Sequence, residues 1–159
     1  MTDHPHSYHL PVLLPDVIKF LITDPEGIYL DGTLGGGGHA EEILKVLKEK
    51  SLYIGVDQDL EAIQYAESRL NKYPNIRIHQ SNFAEFGNVL DKLDLKEIDG
   101  ILLDLGVSSH QIDAAERGFS YMQDAPLDMR MDQESQKTAG YLLNNLDEKE
   151  LSNIFFLLL

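Results

Sequence analysis

Residues 31–39 read DGTLGGGGH, five glycines in nine positions. They stand between an apolar run, "GIYL" (27–30), and a helix-like segment, "AEEILKVL" (40–47). A strand that empties into a glycine turn and then a helix is the opening of a βαβ unit. Its backbone can approach a ligand closely there, with the N–H groups of the helix start facing it. The flanking pattern extends this outward. "SLYIGVD" (51–57), "NIRIHQ" (75–80) and "IDGILLDLG" (98–106) read as further strands, the last being the most apolar. "HAEEILKVLKEK" (39–50), "LEAIQYAESRL" (60–70) and "FAEFGNVLDKL" (83–93) read as the helices between them. Ala40, Ile43, Leu44 and Leu47 form one helical stripe, and Ile63, Ala66 and Leu70 another, with Asp59 as a cap. Strand–helix alternation with strands lacking polar alternation predicts a parallel sheet covered on both faces, α/β and doubly wound. Upstream, "LLPDVIKFL" (13–21) predicts a helix with Leu13, Val17, Phe20 and Leu21 on one face.

The 159 residues suffice for one domain with a core. With 43% hydrophobic residues and no long apolar run, they predict no membrane span. "MTDHPHSYHL" does not read as a signal peptide, and a cytoplasmic protein is expected. With no cysteine present, these residues offer no disulfide, thiolate metal site or cysteine nucleophile. His4, His6 and His9 have no convincing metal partners and read as surface or packing residues, so no metal site is expected. Thirteen Lys and Arg against 27 Asp and Glu leave a formal charge of −14, which taken alone argues against a phosphate backbone as partner.

Beyond "DLGVSS" the texture changes. Residues 110–137 are polar and aperiodic and predict a long loop. A last helix is predicted from Asp147, which with Glu150 makes a capping-box-like pair.

Ligands of open α/β sheets sit at the carboxyl ends of the strands. The second strand ends at Asp57, 19 positions after Gly38, the spacing at which an acid meets the ribose hydroxyls of a nucleotide. The dinucleotide spacing G-x-G-x-x-G is not what stands here. Asp31, Gly35 and Gly37 give an acidic-x-x-x-Gly-x-Gly pattern that resembles the first motif of S-adenosylmethionine-dependent methyltransferases. In that motif an acid can meet the cation of the cofactor's amino acid end. A nicotinamide-dependent dehydrogenase domain remains the alternative, since an acid after the second strand serves either cofactor. Phe83 can offer an apolar surface to an adenine and Asn82 an amide for its edge, or they can be core and cap. Asp104, directly after two leucines at the ligand edge, reads as a site residue.

Longer stretches carry a closer resemblance. "YHLPVLLPDV", "YLDGTLGGGGHA", "GVDQD", "DGILLDLGVSSHQID", "ERGFSY" and "APLDMRMD" resemble the bacterial small-subunit ribosomal RNA cytosine-N4-methyltransferases, from about His9 to the last helix. The resemblance implies a Rossmann-like class I methyltransferase sheet, with its first four strands in the spatial order 3-2-1-4. Residues 1–112 would be the N-terminal part of the S-adenosyl-L-methionine domain, and 113–159 the start of an inserted helical domain. It implies cofactor contacts at Gly37, Gly38, His39, Asp57, Phe83, Asp104 and Gln111. The implied partner is small-subunit ribosomal RNA. The family often carries Pro where this chain has His110. Methylation at carbon 5 of cytosine calls for a thiolate, and none is present. The N4 amine attacks the methyl group directly, needing a hydrogen-bond acceptor, for which Asp104, Ser108 and Ser109 are candidates. Members of the family are longer. Where they continue "YGEE", this chain ends "FLLL". A truncated N-terminal portion is therefore expected, with "ILLDL" left as an open sheet edge, RNA-facing residues elsewhere, and no methyl transfer by these residues alone. A non-catalytic cofactor-binding fragment is the companion reading.

Overall fold

The computed structural model describes residues 11–157; His4, His6 and His9 lie outside them. The chain divides into two compact units, Met1–Gly106 and Val107–Leu159. The first contains strands β1 (Ile28–Asp31), β2 (Leu52–Asp57), β3 (Ile76–Gln80) and β4 (Gly100–Leu102). All pair in parallel, in the order β3-β2-β1-β4. Helices α1 (Leu14–Leu21), α2 (Gly38–Val46), α3 (Leu60–Leu70) and α4 (Phe86–Lys92) connect and cover them, α4 entered through a 3-10 turn at Phe83–Glu85. This is the half-sheet that the alternation of strand and helix patterns predicts.

Side chains of adjacent strand residues leave on opposite faces, so β1 and β2 feed two cores. Tyr29 and Tyr53 pack with Ala40, Ile43, Leu44 and Leu47 around α2 and with Ala66 and Leu70 of α3. Leu30, Ile54 and Val56 pack on the other face with Val89 of α4. The predicted stripes of α2 and α3 are the buried ones, and Asp59 Oδ1 accepts the Glu61 N–H at 3.1 Å as the α3 cap.

Two expectations change and one holds. In α1 the core-facing residues include Val17, Ile18 and Leu21, whereas Leu13 and Phe20 are exposed. Leu13 is not a helical residue but the left-handed cap (φ 53°) before Leu14. The most apolar strand, β4, lies at the edge of the described sheet as expected, with Ile101 and Leu103 44% and 46% exposed. The aperiodic segment is not all loop. It begins with α5 (Ser109–Asp113) and a 3-10 turn at Ala115–Arg117, and just after it stands α6 (Ala139–Asn145), capped by Thr138.

Within the second unit the irregular stretch is held by its arginines. The buried Arg117 donates to the carbonyls of Arg130 and Met131 at 3.1 and 3.2 Å, and Arg130 pairs with Asp128 at 2.6 Å. Helix α7 (Glu148–Leu157) opens on the predicted box: Asp147 N–H donates to Glu150 Oε2 and Glu150 N–H to Asp147 Oδ1. No described helix is long and apolar enough to cross a membrane.

Candidate functional site

The carboxyl ends of β1, β2 and β4 meet around the glycine turn. β1 passes into it between two neighbours: a side chain on Gly32 would begin 2.6 Å from Leu103 Cδ2 and 3.0 Å from Phe83 Cβ. A side chain there would have to push the end of Leu103 aside and press on Phe83. Gly37 is required for both space and conformation. Its φ of 76° caps α2, and Leu70 Cδ1 lies 2.8 Å from where a Cβ would stand. Gly38 and His39 then open the helix, with the unpaired N–H groups of its first turn.

Asp57, at the end of β2, closes the turn from below. Its Oδ2 accepts the Gly35 N–H at 2.7 Å and its Oδ1 the Asp59 N–H at 2.9 Å. The Gln58 N–H also bonds the carboxylate, and two oxygens with about four acceptor sites keep capacity beyond these three donors. The side chain is half-buried, and that burial raises its pKa against the pull of these N–H groups. So the glycine turn and the strand-end acid, 22 residues apart, form one hydrogen-bonded unit.

Asp31 is placed differently from its expected role. It is 1% exposed, its Oδ2 accepting the Tyr53 hydroxyl at 3.0 Å and its Oδ1 the Thr33 N–H at 3.0 Å. Burial pushes its pKa up to about 6, opposed by the Thr33 and Tyr53 hydrogen bonds and by the nearby His39. Tyr53, buried beside it, is raised well above its ordinary value, chiefly by desolvation. The acid of the first motif is an internal support of the turn rather than an open contact.

Asp104 is its counterpart at β4. Its side chain is 56% exposed, and His39 Nδ1 lies 3.8 Å from its Oδ2. The other ring nitrogen of His39 is 3.0 Å from the Val12 carbonyl, so the imidazole stands between the segment leading into α1 and the acid of β4. Asp104 N–H donates to Thr33 Oγ1 at 2.7 Å.

Asn82 uses its amide locally. Oδ1 caps the 3-10 turn by accepting the Ala84 N–H at 2.9 Å, and Nδ2 donates to Gln58 Oε1 at 3.2 Å. The cap reading of Asn82 is the one realised, while Phe83 stands at the first position of that turn beside Gly32. Ser108, Ser109 and Gln111 belong to the second unit. There Ser108 and Gln111 form a capping box: Gln111 N–H donates to Ser108 Oγ at 3.1 Å and Ser108 N–H to Gln111 Oε1 at 3.0 Å. Gln111 is buried, and Ser109 is the first residue of α5. Thr33 and Tyr53 were not singled out by sequence. A polar residue two positions beyond a strand-end acid, and a tyrosine inside an apolar strand, were the signals available. Among the described residues no cluster of three metal-ligating side chains occurs.

A parallel half-sheet with a glycine turn after β1 and an acid at the end of β2 defines a nucleotide-cofactor-binding α/β protein. A family model described as the MraW methylase family matches residues 6–158, and the chain belongs to that family. A protein of Halothermothrix orenii named ribosomal RNA small subunit methyltransferase H is 48% identical over 147 residues, 92% of this chain and 47% of that protein. One of the same name from Clostridium botulinum (strain Hall) is 50% identical over 146 residues, with the same two coverages. The chain thus spans about half the length of the curated relatives it matches. Among solved structures, a SAM-dependent methyltransferase from Aquifex aeolicus is similar with a TM-score of 0.40 at 24% identity. That likeness covers 43% of this chain and 38% of the other, and adds nothing to the topology given above. Nothing in these comparisons supports the dehydrogenase alternative.

Proposed function

We propose that the protein transfers the methyl group of S-adenosyl-L-methionine to the N4 amine of a cytidine in small-subunit ribosomal RNA, and that these 159 residues furnish the cofactor-binding half-sheet. The observation that carries the reading is the tie between the glycine turn and Asp57, Gly35 N–H to Oδ2 at 2.7 Å, at the carboxyl edge of a 3-2-1-4 parallel sheet. The donor set fits the cofactor. Asp57 keeps lone pairs for the ribose hydroxyls, Phe83 offers an apolar surface to the base, and the start of α2 at Gly37, Gly38 and His39 suits a carboxylate. When bound, the cofactor supplies an electrophilic methyl group on a sulfonium. The relatives' names and family membership favour ribosomal RNA as the acceptor class.

The protein's own part in the transfer is positional and electrostatic. The cytosine amine is a weak nucleophile because its lone pair is delocalised into the ring. An acceptor has to take a hydrogen bond from it and hold it in line. Asp104, exposed just beyond β4, borders the cofactor as well and is the carboxylate available for that. His39 Nδ1, 3.8 Å from the carboxylate, and Thr33 Oγ1, which accepts the Asp104 N–H at 2.7 Å, steady it. The buried Asp31 supports the turn from within.

A titration calorimeter tests the cofactor assignment. The chain should bind S-adenosylmethionine or its demethylated product and not NAD. Asp57→Ala should weaken that binding at least about tenfold, the worth of one charge-assisted hydrogen bond. Unchanged affinity in the variant would remove Asp57 from the ribose site. Transfer itself is assigned to the whole protein. A polypeptide of residues 1–159 alone, incubated with tritiated cofactor and unmethylated small subunits, should bind cofactor without labelling the RNA.

A further inference from the structure

The ladder between β1 and β4 ends at Gly32, whose N–H donates to the Leu102 carbonyl at 3.0 Å. In a parallel pair the next bond would run from the N–H two residues further along β4 back to a β1 carbonyl. That N–H belongs to Asp104, and it goes instead to a side chain, Thr33 Oγ1, at 2.7 Å. The same Thr33 gives its backbone N–H to the buried Asp31 Oδ1 at 3.0 Å, and Asp31 is braced on its other oxygen by Tyr53. A hydroxyl has thus replaced a backbone carbonyl at the point where β4 leaves the sheet. It links the exposed acid to a carboxylate fixed in the core.

We propose that Thr33 is a positioning residue: its hydroxyl fixes the backbone of Asp104 at the carboxyl end of β4 and so sets where the Asp104 carboxylate faces the bound cofactor. This rests on the reading that the site holds S-adenosylmethionine. The alternative, that Thr33 only completes the fold, predicts a different pattern in binding. A structural cap lowers the folded fraction but leaves the affinity of folded molecules alone. A positioning bond acts through Asp104, so its effect disappears once the carboxylate is gone.

The test is a double-mutant cycle on affinity for S-adenosylhomocysteine, which binds without reacting. It is read by calorimetry on the 159-residue chain, with melting curves to report folding. Thr33→Val keeps the β-branched shape and removes the acceptor. It should weaken binding about three- to tenfold, the range of one net hydrogen bond. Thr33→Ser restores the hydroxyl and should recover affinity to within about twofold of the parent. In an Asp104→Asn background, Thr33→Val should add nothing further. Unchanged affinity in Thr33→Val would overturn the proposal, and so would a loss that adds in full to that of Asp104→Asn. Should the parent chain fail to bind S-adenosylhomocysteine, the cofactor reading falls and this inference with it. If the parent binds and Asp57→Ala weakens it while Thr33→Val does not, only the role of Thr33 is refuted.

Discussion

Asp31 ends β1, Asp104 lies two residues beyond the end of the neighbouring β4, and their surroundings are opposite. Asp31 is 1% exposed, with a tyrosine hydroxyl on one oxygen and a backbone N–H on the other. Asp104 has a side chain 56% exposed, with a histidine ring at 3.8 Å from its carboxylate. The difference follows from strand position. β1 is central, flanked by β2 and β4, and its end is roofed by the glycine turn and Leu34. β4 has a neighbour on one side only among the described residues. An acid in the first place bears on stability, and an acid in the second is open to chemistry.

Charging Asp31 gives the largest way to break this comparison. Burial raises its pKa from 3.8 to about 6 in the folded chain. The folded state holds the proton more tightly than the unfolded one. The stabilisation is therefore complete below the unfolded value and is lost as pH rises through about 6, amounting to roughly 3 kcal/mol. Asp31→Asn stays neutral throughout. Measured by urea unfolding, the difference in stability between variant and parent should move by roughly 2–3 kcal/mol in the variant's favour from about pH 4 to about pH 7. The slope is the readout, because the amide's altered hydrogen bonds to Tyr53 and Thr33 shift both ends equally. Parallel pH profiles would mean that Asp31 is not a buried charge.

Asp104 should show the inverse. Asp104→Asn in the whole protein is expected to lower methyl transfer by about 10²-fold, the scale of one positioned proton-accepting group. Its unfolding free energy should stay within about 0.5 kcal/mol of the parent, as for a surface substitution. Normal transfer would make Asp104 structural. A large stability loss would make it resemble Asp31.

What sequence could and could not reveal divides along the same line. The glycine run, Asp57 and the stripes of α2 and α3 were legible because each depends on local spacing: a turn, a strand-end acid, a period near 3.6. Their roles in the sheet needed only the alternation of elements. Asp31 was misjudged because the motif places it at the strand end and says nothing of Tyr53, which reaches it from β2 across 22 residues of sequence. Thr33 was invisible for the same reason, its partner lying 71 positions away. The face of α1 was ambiguous because eight of the eleven residues from Val12 to Ile22 are apolar. That admits several stripes, and packing on the sheet selects the one with Val17, Ile18 and Leu21. Helices α5 and α6 are short, five and seven residues. Each is announced by a cap, Ser108 or Thr138, rather than by a period, and polar caps inside a polar stretch do not stand out.

The smallest effect expected concerns the edge of β4. Ile101 pairs opposite Leu30, yet Leu30 is 1% exposed and Ile101 44%. Burial therefore differs across a single rung of the ladder. An open strand edge with apolar side chains is a template for pairing with another chain, and Leu103 and Leu105 extend the exposed patch along the same segment. Ile101→Thr keeps the β-branched shape that suits a strand and replaces a methyl-rich surface by a hydroxyl. Since little burial is lost, the stability of the 159-residue chain should change by no more than about 0.5 kcal/mol. Its tendency to self-associate should fall. Sedimentation velocity over a range of concentrations would show this as a smaller population of fast species in the variant. A stability loss of about 2–5 kcal/mol, the range for truncating a core aliphatic residue, would show that Ile101 is covered. In that case β4 is as protected as β1, and the contrast between the two strands does not hold.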